Sequence, residues 1–244
     1  MNSESRASLP PLYVALDFEQ QSDVIAFARR LAQGCSSCAY GFKVNLDSLV
    51  NFSSAALLPR DFLSELLSLS RSLFVDLKMW NGLRTMYCIV EGCAELGVDI
   101  VNVYAHCGLS FISGLVDRLR GRRTSLFCVS ILTHYDDAYV RDVYGGGFAD
   151  VVPRLASIAE RAGADGVILP ATKLELVSQL SLSKLCPGIR PKWHETPFDN
   201  QQKQILSPRE ALERGADHVV IGTPITRAKD PLEALGRVLA EVSG

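Results

Sequence analysis

The stretch whose reading decides the fold is Phe74-Val75-Asp76-Leu77-Lys78-Met79-Trp80-Asn81-Gly82-Leu83-Arg84-Thr85. The apolar run Leu73 to Val75 reads as the end of a buried strand, and an acid, a base and an amide follow at 76, 78 and 81. Residues two apart on a strand point to the same face. Asp76 and Lys78 therefore project together from a strand's carboxyl end, with Asn81 in the loop beyond. At that spacing a carboxylate and an ammonium hold each other charged and aimed. The same spacing suits a plain ion pair on a solvated strand end, which contributes little by itself. The rest of the chain decides between the two.

Working outward, short apolar strands alternate with helical patterns. Leu12 to Leu16 is a strand ending at Asp17, and Ser22-Asp23 is placed to cap a helix whose apolar positions include Val24, Ala28 and Leu31. Ala39 to Val44 is the second strand, with Lys43 and Asn45 near its end. A long loop from Asp47 to Leu58 leads to a helix starting near Pro59, a residue favoured at the first helical position. The third strand is Leu73 to Lys78, with a helix from about Leu83 to Leu96. Asp99 to Ala105 and Ser125 to Leu132 are strands four and five, closing on His106 and on Thr133-His134, with a helix from Phe111 to Leu119 between them. Tyr135 to Gly147 reads as a polar, Gly-rich loop of lid-like length. Further units follow: a helix at Asp150 to Arg161, strand Gly166 to Leu169, helix Leu174 to Leu180, strand Leu185 to Ile189, a capping box at Ser207-Pro208-Arg209-Glu210, strand Asp217 to Gly222 and a last helix from Pro231.

That is eight strand-then-helix units in 244 residues. Buried strands alternating with amphipathic helices imply a parallel sheet, and eight units of this size predict a closed (β/α)8 barrel, an α/β fold of one domain spanning 12–244. An open doubly wound sheet would want fewer strands and a Gly-x-Gly-x-x-Gly turn after the first. The turn here, Asp17-Phe18-Glu19-Gln20, has no glycine. Residues 1–11 read as a polar, disordered N-terminal lead without the layout of a secretory signal.

Hydrophobic residues make up 48% of the chain and charged residues 21%, enough to bury a full core, and the net charge of −2 gives no reason to expect nucleic acid or a membrane surface as partner. No apolar run approaches the ~20 residues needed to span a bilayer. A cytoplasmic location is the expectation. Seven cysteines are scattered. Cys35-x-x-Cys38 has metal-pair spacing but lacks a second pair, so no metal is expected. Cys88, Cys107 and Cys128 sit in apolar patterns and read as core thiols.

In a closed barrel of this type the chemistry sits at the carboxyl ends of the strands. Those ends carry Asp17, Lys43 with Asn45, Asp76 with Lys78, His106, Thr133 with His134, Pro170 with Thr172, Arg190, and Gly222 with Thr223. Two lysines and two aspartates converging on one mouth make a charge network rather than a lone ion pair. His106 follows an apolar run and reads as a packed or substrate-lining imidazole rather than a base. Gly188, Gly222 and Asn200-Gln201-Gln202-Lys203 suit a phosphate site after strands seven and eight.

Several of these motifs coincide. Val14-Ala15-Leu16-Asp17, Lys43, Asp76-x-Lys78-x-x-Asn81, Pro187-Gly188-Ile189-Arg190-Pro191 and Ile221-Gly222-Thr223-Pro224-Ile225-Thr226 occur in order. Together the sequence resembles the orotidine 5′-monophosphate decarboxylase family from residue 12 to 242. The resemblance implies decarboxylation of orotidylate to UMP, in pyrimidine biosynthesis, with no cofactor. Catalysis would come from charge placement. It implies that Lys78 protonates C6 of the pyrimidine, and that Asp76 and Lys43 complete the charge network. Asp17 and Lys43 would hold ribose hydroxyls and Thr133 the pyrimidine. Thr85 would reach a ribose hydroxyl across a homodimer interface. Gln202, Gly222 and Thr223 would bind the phosphate beside Pro187.

Two positions depart from the family pattern. Asn81 stands where the family has an aspartate contributed by the neighbouring subunit, which keeps the shape and removes a charge. Thr223 stands where an arginine usually follows the glycine, and a charged hydrogen bond to phosphate is worth about 1.5–3 kcal/mol. Lys203, Arg190, Arg227 and Arg84 are the cations available to replace it. These changes leave two alternatives to orotidylate decarboxylation open. One is a diverged relative acting on another nucleotide or sugar phosphate in specialised metabolism, and the other is a non-catalytic nucleotide-binding barrel.

Overall fold

Strand parity sorts this chain into an inside and an outside. On β1 (Leu12–Ala15), Leu12 and Val14 face the helices while Tyr13 and Ala15 face the barrel interior. The same alternation runs through β2 (Tyr40–Asn45) and β3 (Leu73–Met79): Tyr40, Phe42, Val44, Val75 and Leu77 pack outward, and Phe74 packs inward. The computed structural model describes residues 8–35, 40–49, 58–194 and 206–243. Its strands continue with β4 (Ile100–Tyr104), β5 (Ser125–Val129), β6 (Gly166–Ile168), β7 (Ser183–Pro187) and β8 (His218–Ile221). All pair in parallel with their sequence neighbours, and β8 returns to β1, closing the barrel in the order 1 to 8. The expected (β/α)8 architecture, in one domain, is therefore the observed one.

The helices are α1 (Gln21–Gly34), α2 (Leu46–Leu49), α3 (Arg60–Leu69), α4 (Leu83–Glu95), α5 (Leu109–Leu119), α6 (Asp137–Tyr144), α7 (Phe148–Arg161), α8 (Pro208–Glu213), α9 (Thr223–Thr226) and α10 (Pro231–Ser243). Each long one lays an apolar stripe on the barrel. In α7 the stripe is Phe148, Val151, Val152, Leu155, Ala156 and Ala159, spaced three and four residues apart. The Ser207–Glu210 capping box forms as expected: the Ser207 N–H donates to the Glu210 carboxylate at 2.9 Å, and the Glu210 N–H donates back to the Ser207 hydroxyl.

Several boundaries differ from the sequence expectation, each for a local reason. Ser22 and Asp23 lie inside α1 rather than capping it, and Gln20 takes the cap position. Pro59 precedes α3 instead of opening it. The start of the loop expected after Asp47 is the one-turn α2, and 50–57 lie outside the described residues. The expected lid loop, 135–147, contains α6. Asp136 accepts the Tyr139 N–H at 3.0 Å, and Gly145, at φ 73°, ends the helix in a left-handed turn. A polar Gly-rich stretch thus hides a helix whose start and stop signals are both present. The sixth helical pattern is a 3₁₀ segment, Ala171–Val177. Cys128 is buried as expected and Cys107 half-buried, but Cys88 is exposed on α4. Cys38 and residues 1–7 lie outside the described residues, whereas Pro10 and Pro11 are tied to β8: the Pro10 carbonyl bonds His218 at 2.8 Å and the Pro11 carbonyl accepts the Val219 N–H at 2.8 Å.

The amino end of the barrel is filled by large side chains that stand beside small ones. Tyr13 packs edge-on to Phe74, and its hydroxyl meets that of Ser72 at 2.8 Å. Gly41 is the register partner of Tyr13. A Cβ at Gly41 would lie 2.6 Å from the Ser72 carbonyl oxygen and 2.7 Å from the Tyr13 ring. Neither neighbour can move without disturbing the ladder. Gly41→Ala is therefore expected to destabilise the fold by about 1–3 kcal/mol, read as a lower midpoint in cooperative urea unfolding. An unchanged midpoint would mean the barrel floor is not close-packed there.

Candidate active site

Inward parity that buries Tyr13 and Phe74 at the floor brings polar residues to the same interior higher up. The positions are Asp17 after β1, Lys43 and Asn45 on β2, Asp76 and Lys78 on β3, and Asn102 on β4. They edge or line a cavity of about 640 Å³ at the carboxyl ends of the strands, a volume suited to a nucleotide-sized ligand. Its floor is apolar, with Ala15, Phe74, Ile168, Leu185 and Val220.

The charges form one connected array. The Lys43 ammonium donates to Asp17 at 3.0 Å, to Asp76 at 3.4 Å and to the Asn45 carbonyl, so all three of its donors are used. The Asn45 amide in turn donates to Asp17 at 2.9 Å. Asp76 is buried, and one carboxylate oxygen accepts from both Lys43 and Lys78 while the other accepts from the Asn102 amide at 2.7 Å. Burial alone would raise the Asp76 pKa, but Lys43 and Lys78 outweigh it and the net shift is downward. Burial would lower the Lys43 pKa, and Asp76 and Asp17 together turn the net shift upward. Asp76 and Lys43 hold each other charged. Lys78 is its open end: its side chain keeps 35% exposure, and its ammonium faces the cavity.

Lys78 is also where the backbone departs from a regular strand. Val75 pairs with Val101 and Met79 with Val103, so β3 bulges between them. Lys78 takes φ 44°, the one non-glycine residue with a positive φ among the described residues. Such a conformation costs on the order of 1–3 kcal/mol and clusters at functional sites.

The other rim belongs to β5, β7 and β8. Thr133 is buried and lines the cavity, with His134 beside it. Pro187, Gly188, Arg190 and His194 line it from the segment after β7, and Gly222, Thr223 and Arg227 from the segment after β8. The Arg190 guanidinium donates to the Ile189 carbonyl at 3.2 Å, while its buried Nε has no partner among the described residues; burial lowers its pKa.

The structure thus gathers Asp17, Lys43, Asp76, Lys78, Thr133, Pro187, Gly222 and Thr223 around one cavity. Two expected residues are elsewhere. Asn81 is exposed, its side chain accepting the Gly82 N–H at 2.7 Å, and Thr85 is exposed on α4. Neither lines this chain's cavity. Gln202 lies outside the described residues. His106 is packed rather than cavity-lining: it stacks on Tyr104 at 4.8 Å and meets Trp80 edge-on at 4.5 Å. Asn102, which bonds both Asp76 and the Lys78 N–H, is a member of the array that no sequence motif marks. The available signal was an amide inside the apolar run Ile100-Val101-Asn102-Val103, on the inward parity of Ile100.

Fold and site together define a parallel barrel with a carboxylate-bridged pair of lysines at its catalytic mouth. The comparisons place it further. Residues 10–238 match the model of the Orotidine 5′-phosphate decarboxylase / HUMPS family, and the chain belongs to that family. The orotidine 5′-phosphate decarboxylase of Paramagnetospirillum magneticum is 34% identical over 243 residues, covering 95% of this chain and 98% of the relative. That of Dichelobacter nodosus is 33% identical over 240 residues, covering 94% and 97%. Among solved structures, the orotidine 5′-phosphate decarboxylase of Lactobacillus acidophilus superposes with a TM-score of 0.78 at 27% identity, covering 96% of this chain and 100% of that one.

The pKa directions set a pH window. Asp76 titrates lower folded than unfolded, so its contribution to stability is present above the unfolded carboxylate value of about 3.9 and is lost as pH falls through the folded value. Lys43 titrates higher folded, so its contribution is present below about 10.4 and is lost as pH rises through the folded value. Asp76→Ala takes away the buried carboxylate partner of Lys43 and leaves it only the half-exposed Asp17 and the Asn45 carbonyl, and the expected loss at neutral pH is about 3 kcal/mol, the lower end for a broken buried pair, measured by urea unfolding. The difference from wild type should shrink in acid. A loss that stays constant from neutral pH into acid would contradict a charged Asp76.

Proposed function

We propose that this chain decarboxylates orotidylate to uridylate without a cofactor, through the Lys43–Asp76–Lys78 array. The observation that carries the reading is Asp76 buried between two lysines, with Lys78 open to the cavity. The bond from C6 of the pyrimidine to its carboxylate breaks, carbon dioxide leaves, and the electron pair remains on C6. Lys78 then donates a proton from Nζ to that carbon. Charges fixed in place before reaction stabilise the developing carbanion without solvent having to reorganise. Asp17 and Lys43 hold the ribose hydroxyls, and Thr133 hydrogen-bonds the pyrimidine.

The phosphate is held by the rim after β7 and β8. The backbone N–H groups at Gly222 and Thr223 face it, and Arg190 and Arg227 supply charge where Thr223 cannot. The partnerless Nε of Arg190 supports this assignment. Gln202 contributes from the same segment. Asn81 and Thr85 are exposed and do not line their own cavity, which suits a homodimer whose subunits each complete the partner's site. Among the described residues no helix is long and apolar enough to cross a membrane, in keeping with a cytoplasmic pyrimidine-biosynthesis enzyme.

Asn81 favours a second reading, in which the substrate is another nucleotide or sugar phosphate. A thermal-shift panel of phosphorylated ligands separates the two: stabilisation by uridylate and orotidylate alone excludes it.

Loss of orotidylate absorbance on adding purified protein tests the main reading. Lys78→Ala should lower kcat by about 10²–10⁴-fold, the scale of a lost proton donor. No turnover by folded wild-type protein at high concentration would defeat the proposal. Restoring the missing charge with Asn81→Asp should raise kcat/KM for orotidylate. A neutral or harmful effect would mean the site works around the amide.

A further inference from the structure

The bulge in β3 leaves a backbone problem that one side chain solves. Asp76, Leu77 and Lys78 stand opposite Asn102 alone, between the pairs Val75–Val101 and Met79–Val103. Three residues facing one cannot all find partners in the ladder. The Lys78 N–H, turned by its left-handed φ, meets the Asn102 side-chain oxygen at 2.7 Å. The Asn102 amide nitrogen donates to Asp76 at 2.7 Å. Asn102 is fully buried, and it does not line the cavity.

The two contacts require both ends of one amide. Turned over, the amide would set its N–H₂ against the Lys78 N–H and its oxygen against the carboxylate. Only one orientation fits the network. A leucine of similar volume would leave a buried N–H and a carboxylate oxygen unpaired, and an aspartate would set a second carboxylate against Asp76.

We propose that Asn102 is a positioning residue for the reaction: its amide locks the β3 bulge, so that the Lys78 ammonium and the Asp76 carboxylate meet the substrate in one fixed register. It acts on both groups at once, on Lys78 through the backbone and on Asp76 through the side chain. This rests on the decarboxylase reading for its rate consequences, though not for its geometry. The other charged and titratable groups around Asp76 and Lys78 are Lys43 from β2, Asp17 after β1 through Lys43, Tyr104 on β4, which senses the Asp76 charge, and His134 after β5, which senses that of Lys78. Among the described residues, Asn102 is the side chain that bonds both Asp76 and the backbone that carries Lys78.

The test uses Asn102→Ala and the isosteric Asn102→Asp in the full chain. Both should lower kcat for orotidylate by about 10²-fold, the cost of a small misplacement of reacting groups. KM for orotidylate and affinity for uridylate should stay within about threefold, because Asn102 touches no ligand. In carboxyl ¹³C spectra, Asp76 should titrate at higher pH in Asn102→Ala than in wild type, since a donor to its charged form is gone. A merely structural Asn102 would lower the unfolding midpoint and leave kcat and the Asp76 titration in place; that result would overturn the proposal. If the alanine variant does not fold, the aspartate variant decides by the same kcat-against-KM split. Wild-type protein without turnover would defeat the decarboxylase reading alone, and the Asp76 titration would still judge Asn102.

Discussion

Asp76 is buried with a lysine against it on either side, and most of what distinguishes this barrel follows from that contact. Taking a carboxylate and an ammonium out of water costs several kcal/mol for each ion. The cost is met only if every lone pair and proton finds a partner. Here one Asp76 oxygen serves Lys43 and Lys78 and the other serves Asn102, while Lys43 spends its remaining donors on Asp17 and Asn45. The array is a structural solution before it is a chemical one. The lysine left partly open to the cavity is Lys78.

The barrel makes this contact possible. A closed parallel sheet turns alternate residues of all eight strands toward a common axis. The amino end of that interior is closed by Tyr13, Phe74, Phe127 and His218, which pack edge to edge. The carboxyl end is left for polar groups, and a cavity remains between the two layers. The irregular part is local: β3 bulges where Lys78 must be aimed, and a neighbouring strand supplies the amide that satisfies the freed backbone.

Much of this was legible in the residues. Alternating apolar strands and amphipathic helices specified the barrel, because burial periodicity is a property of each segment alone. Asp17, Lys43, Asp76, Lys78, Thr133, Gly222 and Thr223 could be placed at strand ends, because strand direction fixes which end carries the loops. The motifs also pointed to the family that the comparisons establish. Other features were hidden. The helix inside 135–147 was obscured by its glycines, though Asp136 and Gly145 mark its ends. Asn81 and Thr85 sit close to Asp76 and Lys78 in sequence yet are exposed and do not line the cavity, because β3 ends at Met79.

The sequence by itself determined the fold class, the charged residue types and the strand end at which they gather. These follow from periodicity two and three-to-four, and from polarity at segment boundaries. Only the tertiary structure decided who touches whom. Asp76 and Asn102 are separated by a helix and a crossover, and their contact depends on the register between β3 and β4. That register carries a bulge no local pattern announces. The stretch around Asp76 and Lys78 is thus shaped not by its own spacing alone, but also by an amide on the next strand that bonds its backbone and its carboxylate.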